Sequence, residues 1–146
     1  MKYVRMDETH VEQVARLEAD CFSNPWSLHS ITSELNNPLS LWFVAIEGDK
    51  VVGYVGSQFV LDEADMMNLA VSENYRHQRI GENLVNVLVE HLKKRFVKSL
   101  TLEVRISNEP AIHLYEKLGF LQVGCRPRYY VNPREDALIL RKEWEV

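Results

Sequence analysis

The sequence predicts an α/β fold on a mixed, mostly antiparallel sheet, and three observations carry that prediction. Strand-like and helix-like segments alternate along the whole chain. Tight turns at Gly48-Asp49 and at Asp62 fold the first half into antiparallel hairpins. A strand–loop–helix–strand run in the middle then demands a parallel crossover. The length of 146 residues is that of one ordinary domain, 1–146, with no repeat, low-complexity tract or linker to divide it.

The elements follow in order, after a short opening strand. Thr9-x-x-Glu12 reads as a capping box, and Val11, Val14, Leu17 and Cys21 recur behind it at helical spacing. Ser27 caps a second helix bearing Leu28, Ile31 and Leu35, which stops at Asn36-Asn37-Pro38. Leu41–Glu47, Lys50–Leu61 and Glu63–Val71 read as three successive strands. The polar loop Ser72–Arg79 leads to a helix from about Gly81 to Phe96, with Leu84, Leu88 and Leu92 on one face. Leu100, Leu102 and Val104 alternate with Thr101, Glu103 and Arg105, the pattern of a half-buried strand. Asn108 caps a further helix with Pro110 in its first turn and Gly119 at its end. Phe120–Arg128 and Ala137–Glu143 close the chain as strands, giving the order β-α-α-β-β-β-α-β-α-β-β.

Composition excludes several functions. Apolar residues are 46% and charged residues 26%, as in a soluble globular protein. The net charge of −4 argues against binding nucleic acid, because neutralising phosphates needs a basic surface. It is compatible with an acidic site for a basic peptide. Cys21 and Cys125 are too few for a disulfide framework or a four-cysteine zinc site, and no metal is expected. Apolar runs such as Leu41–Ile46 fall far short of the ~20 residues that span a bilayer. The N-terminus meets Asp7 and Glu8 without a signal-peptide core, so a cytoplasmic protein with no membrane partner is expected.

Two groups of residues could carry chemistry. Arg76-His77-Gln78-Arg79-Ile80-Gly81 lies between a strand end and a helix start, where unpaired N–H groups and the helix dipole favour phosphate. With only Gly81 it matches neither the dinucleotide fingerprint nor the P-loop, and a solvated basic loop fits equally well. Glu103 and Tyr115 form the second group, a carboxylate and a phenol suited to base and acid if they share a cleft. The plain alternative is a solvated glutamate and a packing tyrosine. Trp26 and Trp42 read as packing residues, and His10, His29 and His91 as surface histidines. Asp62, Glu63 and Asp65 read as a solvated turn or an acidic mouth, and Tyr129 and Tyr130 as a strand-edge pair or a groove lining.

Taken together, NLAVSENYRHQRIGENLV, LTLEVRISNEPAIHLYEKLGF and RYY…EDALIL resemble the general N-acetyltransferase (GNAT) superfamily. Within it they are most similar to the bacterial ribosomal-protein-alanine N-acetyltransferases. The resemblance runs from about Val4 to Leu140 and is densest from Leu61 onward. It implies helices on both faces of the sheet and a parallel strand pair splayed into a V that receives the co-substrate acetyl-CoA. It further implies backbone contacts from Leu69, Ala70 and Val71, a phosphate loop of His77, Gln78, Arg79, Ile80, Gly81 and Glu82, and a contact from Asn108. Glu103 corresponds to the general base and Tyr115 to the general acid. The implied partner is the basic N-terminal peptide of a ribosomal protein, the eighteenth of the small subunit, acetylated on its alanine by direct attack on the thioester. A monomer or weak homodimer is expected.

One position departs from the pattern: Arg79 stands where the family carries glycine. An arginine is expected to hold an ordinary φ there, with its side chain turned outward or onto a phosphate. An α-amine is a reasonable acceptor, because roughly a tenth of such amines are neutral at pH 7 whereas lysine is almost wholly charged. Two other readings stay open, an acetyltransferase for a small amine (a polyamine or aminoglycoside) and a non-catalytic acyl-CoA-binding module. The Glu103 and Tyr115 pair speaks against the second.

Overall fold

The computed structural model describes residues 1–146. Seven strands and four helices alternate as β1 (Lys2–Arg5), α1 (Val11–Cys21), α2 (Leu28–Glu34), β2 (Ser40–Glu47), β3 (Lys50–Val60), β4 (Glu63–Val71), α3 (Ile80–Lys94), β5 (Ser99–Arg105), α4 (Glu109–Lys117), β6 (Leu121–Tyr130) and β7 (Glu135–Glu143). The strands form one sheet in the order β1-β2-β3-β4-β5-β7-β6. Every neighbouring pair is antiparallel except β4 and β5. The order and the mixed sheet are those read from the sequence.

Alternating residues of β2 build a core on each face. Leu41, Phe43 and Ala45 join Leu84, Leu88 and Leu92 of α3 in the larger core, with Tyr115 and Leu118 behind α4. Trp42 and Val44 join Val14 and Leu17 of α1 and Ile31 of α2 on the opposite face. The helices thus cover both faces. No helix is long and apolar enough to cross a membrane.

Local details differ from the sequence expectations, each for a physical reason. The capping box at Thr9 does not form. Asp7 takes both the Thr9 N–H (2.8 Å) and the Thr9 hydroxyl (2.6 Å), and His10 stands at the N-cap with its Nδ1 accepting the Asp7 N–H (3.0 Å) and no side-chain bond to the helix N–H groups. Strand β3 ends at Val60, because Leu61 takes a left-handed φ of 56° in the turn with Asp62. Phe96 lies outside α3: the Phe96 N–H reaches Lys93 O (3.0 Å) and the Val97 N–H reaches Leu92 O (3.1 Å), a Schellman stop with Phe96 at φ 60°. The closing strands are longer than read, β6 reaching Tyr130 and β7 starting at Glu135. Ser27 and Asn108 cap α2 and α4 as expected.

Candidate active site

Strands β4 and β5 are joined only by Glu63↔Ser99, Ala64↔Leu100 and Asp65↔Thr101. Beyond those pairs each strand keeps its outer neighbour, β4 running with β3 to Val71 and β5 with β7 to Arg105. The two strands therefore part into a V. A cavity of about 860 Å³ lies in the gap, lined by consecutive residues of both strands, Asp65–Leu69 of β4 and Leu102–Arg105 of β5. Successive strand residues point to opposite faces, so the cavity passes through the sheet. Asn108, Ala111 and Tyr115 line it on the α4 face, and Phe22, Asn24 and Trp26 line it from the α1–α2 segment.

A bulge shapes this passage. Gly56 pairs with Asn68 and Ser57 with Met66, leaving Met67 as the extra residue of β4. Ala64 and Met66 face the α3 core, whereas Ala70, after the bulge, faces the α1 core. One inserted residue has switched the face that the even-numbered side chains occupy.

Both predicted acid–base residues line the cavity. Tyr115 is buried, its ring edge-on to Phe120, and its hydroxyl has only the Met66 sulfur near it, at 3.8 Å. Burial first, and Tyr130 second, push its pKa far above that of a free phenol, so it is held as a proton donor. Glu103 is partly exposed and receives the Arg126 Nε–H at 3.3 Å. Tyr130 stands close enough to be affected by Glu103, and burial together with that carboxylate pushes its phenol up to about 12. Its ring supports the Arg105 guanidinium 4.4 Å from the centroid. Asp65 lies on the rim of the same cavity, its carboxyl raised by partial burial and by Glu63.

The mouth on the β6 side is strapped. Arg105 donates to Pro133 O (2.8 Å), Val131 O (3.1 Å) and Glu135 Oε1 (3.2 Å). Glu135 also accepts the Ser107 N–H at 2.7 Å. Asn24, from the α1–α2 segment, reaches Val131 O at 3.3 Å and brings the two sides of the mouth together.

Of the remaining predicted residues, Leu69 and Asn108 reach the cavity, and the others lie beside its α3 end. Leu69 lines it, while Ala70 and Val71 continue along the parted length of β4. The Val71 carbonyl already accepts the Arg76 Nε–H at 3.2 Å. His77, Gln78 and Arg79 are exposed. Arg79 does not keep an ordinary φ: it is the N-cap of α3 at φ 62°, the conformation glycine would adopt, and His77 shares it at φ 64°. No side chain caps α3. The first backbone bond closed there runs from the Asn83 N–H to Arg79 O, leaving the Ile80, Gly81 and Glu82 N–H groups without a protein acceptor. A Cβ at Gly81 would meet Leu114 at 3.4 Å, Val71 at 3.8 Å and Leu69 at 3.9 Å, so Gly81 faces the gap between β4 and α4.

Sequence reasoning missed Arg126, the ion partner of Glu103, and a buried cluster around Glu18. Glu18 is fully buried and accepts from the Tyr54 hydroxyl, from Asn68 Nδ2 (2.9 and 3.0 Å) and from the Trp26 N–H (2.9 Å). A signal for it existed: an acid at position 18 lies on the apolar stripe of Val14, Leu17 and Cys21. Arg126 gave none.

Comparison with known proteins agrees with this geometry. The model of the "Acetyltransferase (GNAT) family" matches residues 11–120. A Bacillus subtilis (strain 168) protein is 39% identical over 131 residues, 89% of this chain and 87% of its own. An Escherichia coli (strain K12) protein named ribosomal protein bS18-alanine N-acetyltransferase is 36% identical over 137 residues, 92% of each chain. The crystal structure of the E. coli ribosomal-protein-S18-alanine N-acetyltransferase superposes with a TM-score of 0.91 at 34% identity, covering 99% of this chain and 94% of that one. An aminoglycoside 6'-N-acetyltransferase complexed with coenzyme A shares the fold at 19% identity, with a TM-score of 0.82 and 98% and 97% of the two chains covered.

Proposed function

The chain belongs to the acetyltransferase (GNAT) family, and on that premise we propose that it transfers an acetyl group from acetyl-CoA to the N-terminal alanine of ribosomal protein bS18. The observation that carries this reading is the cavity that passes through the sheet, which lets two substrates meet from opposite faces. The α3 face suits the co-substrate, and the mouth between the α1–α2 segment and the β6–β7 strap suits a peptide end. The acceptor is taken from the E. coli relative, whose likeness spans 92% of both chains.

The residues present fit acetyl-CoA. Three unpartnered N–H groups at the start of a 15-residue helix favour phosphate, and the glycine at Gly81 leaves the gap beside them open. Asn108 lines the same cavity. The parted edge of β4 from Leu69 to Val71 offers backbone groups to an extended arm, in the manner of an added strand. Bound there, acetyl-CoA supplies an activated thioester.

The chain's own groups then act on the amine and the leaving sulfur. Glu103 takes a proton from the α-amine, directly or through a water. A backbone N–H near Val71 meets the charge that develops on the carbonyl oxygen. Tyr115 gives its proton to the departing thiolate, a role supported by its buried hydroxyl, which has only a thioether beside it.

The test offers peptides beginning Ala, Ser, Met and Gly-Lys, together with polyamines and aminoglycosides, in one mixture with acetyl-CoA. Fragmentation then locates the added acetyl groups. Acetylation of the Ala peptide at its α-amine is the expected result. Acetylation confined to the small amines, or none above background with CoA bound, overturns this reading in favour of a small-amine enzyme or an acyl-CoA-binding module.

A further inference from the structure

The Glu18 cluster has a chemistry that packing does not explain. A carboxylate with no exposed surface lies between α1, β3 and β4, and no lysine, arginine or histidine pairs with it. Its bonds all come from donors: a phenol, an amide and a backbone N–H. Burying a charge without an opposite charge is costly, and apolar replacements at such positions are often neutral or stabilising. The position therefore calls for a reason other than stability.

The partners of Glu18 supply one. Asn68 and Trp26 both line the cavity. Asn68 comes directly after the bulge at Met67; without that extra residue it would share the face of Met66 and point away from α1. Once Asn68 faces Glu18, chemistry fixes which way its amide turns. A carboxylate only accepts, so Nδ2 must face it, and Nδ2 lies within 3.0 Å of both carboxylate oxygens. The carbonyl Oδ1 is thereby turned away from Glu18, as a lone acceptor on the acceptor side of the passage. The same carboxylate holds the Trp26 N–H and so fixes the segment that forms the wall beside it.

We propose that Glu18 is a positioning residue for the acceptor amine, acting through Asn68, whose Oδ1 it presents to accept a hydrogen bond from the incoming N-terminal N–H. The inference rests on the amine-acetylation reading above. It makes a specific statement about Glu18→Gln: the glutamine amide can donate to Oδ1, so the Asn68 amide is free to turn over and present NH₂ in place of its carbonyl.

The experiment measures acceptor-peptide KM and kcat at saturating acetyl-CoA, acetyl-CoA Kd by calorimetry, and thermal midpoint, for Glu18→Gln, Asn68→Ala and the double variant. Expected is an acceptor KM raised about tenfold or more in each single variant, with acetyl-CoA Kd within about twofold of wild type. The double variant should be no worse than the poorer single, because both changes remove one interaction. Losses that multiply in the double variant, or an acceptor KM within about twofold of wild type in a folded Asn68→Ala protein, overturn the proposal. Should Glu18→Gln fail to fold, Asn68→Ala decides alone, since it leaves Glu18 its phenol and backbone donors. A wild type that acetylates no amine removes the proposed function and this inference together; an active wild type with an insensitive Asn68→Ala variant removes this inference only.

Discussion

At Tyr115 the proposed acid catalysis rests on a single hydroxyl. The thiolate of CoA has a free pKa near that of cysteine, about 8.5, so it can leave unaided but slowly. On the proposed mechanism, a phenol kept protonated by burial returns a proton as the C–S bond breaks, which is worth about 10²–10⁴-fold in rate. Tyr115→Phe keeps the ring against Phe120 and should leave fold and acetyl-CoA affinity intact while kcat falls about 10²-fold. A variant keeping more than about half of wild-type kcat, with chemistry rate-limiting, would show a packing tyrosine instead. Glu103 and Tyr115 were legible because each lies inside a dense run of family-like sequence. Arg126 and Asn68 were not: their roles arise from pairing with residues 23 and 50 positions away, which no local pattern encodes.

Elements and their ends hold the next predictions. Arg79 adopts a left-handed φ that costs an L-residue about 1–2 kcal/mol, yet it stands at the N-cap position of the helix whose first three N–H groups have no protein acceptor. Arg79→Gly should raise the thermal midpoint by about 2–8 °C and, if the guanidinium meets a phosphate, weaken acetyl-CoA binding and flatten its salt dependence. Calorimetry at two salt concentrations checks both, and a lowered midpoint would mean the arginine stabilises that turn. At the strap, the Ser107 hydrogen bonds and then Arg105 hold the Glu135 carboxyl below its ordinary range. A depressed carboxyl contributes stability above its unfolded pKa and loses it as pH falls through the folded value. Glu135→Gln should therefore lower the thermal midpoint at neutral pH, with a deficit that shrinks below about pH 4.3. A deficit constant across that range would assign the effect to shape alone. Helix ends were the least legible part of the fold. The Thr9 box failed because Asp7, two residues earlier, competes for the same groups, and the positive φ at Arg79 is imposed by the path into α3.

On the scale of the whole molecule, the strand order followed from alternating patterns and tight turns. The V did not, because nothing in either strand alone says where two neighbours part; only the family likeness implied it. Three backbone pairs join the β1–β4 side of the sheet to the β5–β7–β6 side, with α3 and α4 packed beneath. Acetyl-CoA at a hundredfold excess over its Kd should add about 2.7 kcal/mol, or about 5–10 °C for a chain of this size. Gly81→Val places branches toward Leu114, Val71 and Leu69 in the gap and should reduce that shift to about 2 °C or less with little change in the unliganded midpoint. An undiminished shift would place the cofactor elsewhere.

A sheet stitched at one end and open at the other is also a clock with two speeds. Amides near Asp65 and Thr101 are locked on both sides, whereas those of residues 66–71 and 103–105 that face the gap have no strand across from them. In deuterated solvent the label should therefore enter the same two strands from their open ends inward. Acetyl-CoA, by taking the place of the missing strand, should slow that entry along β4 first.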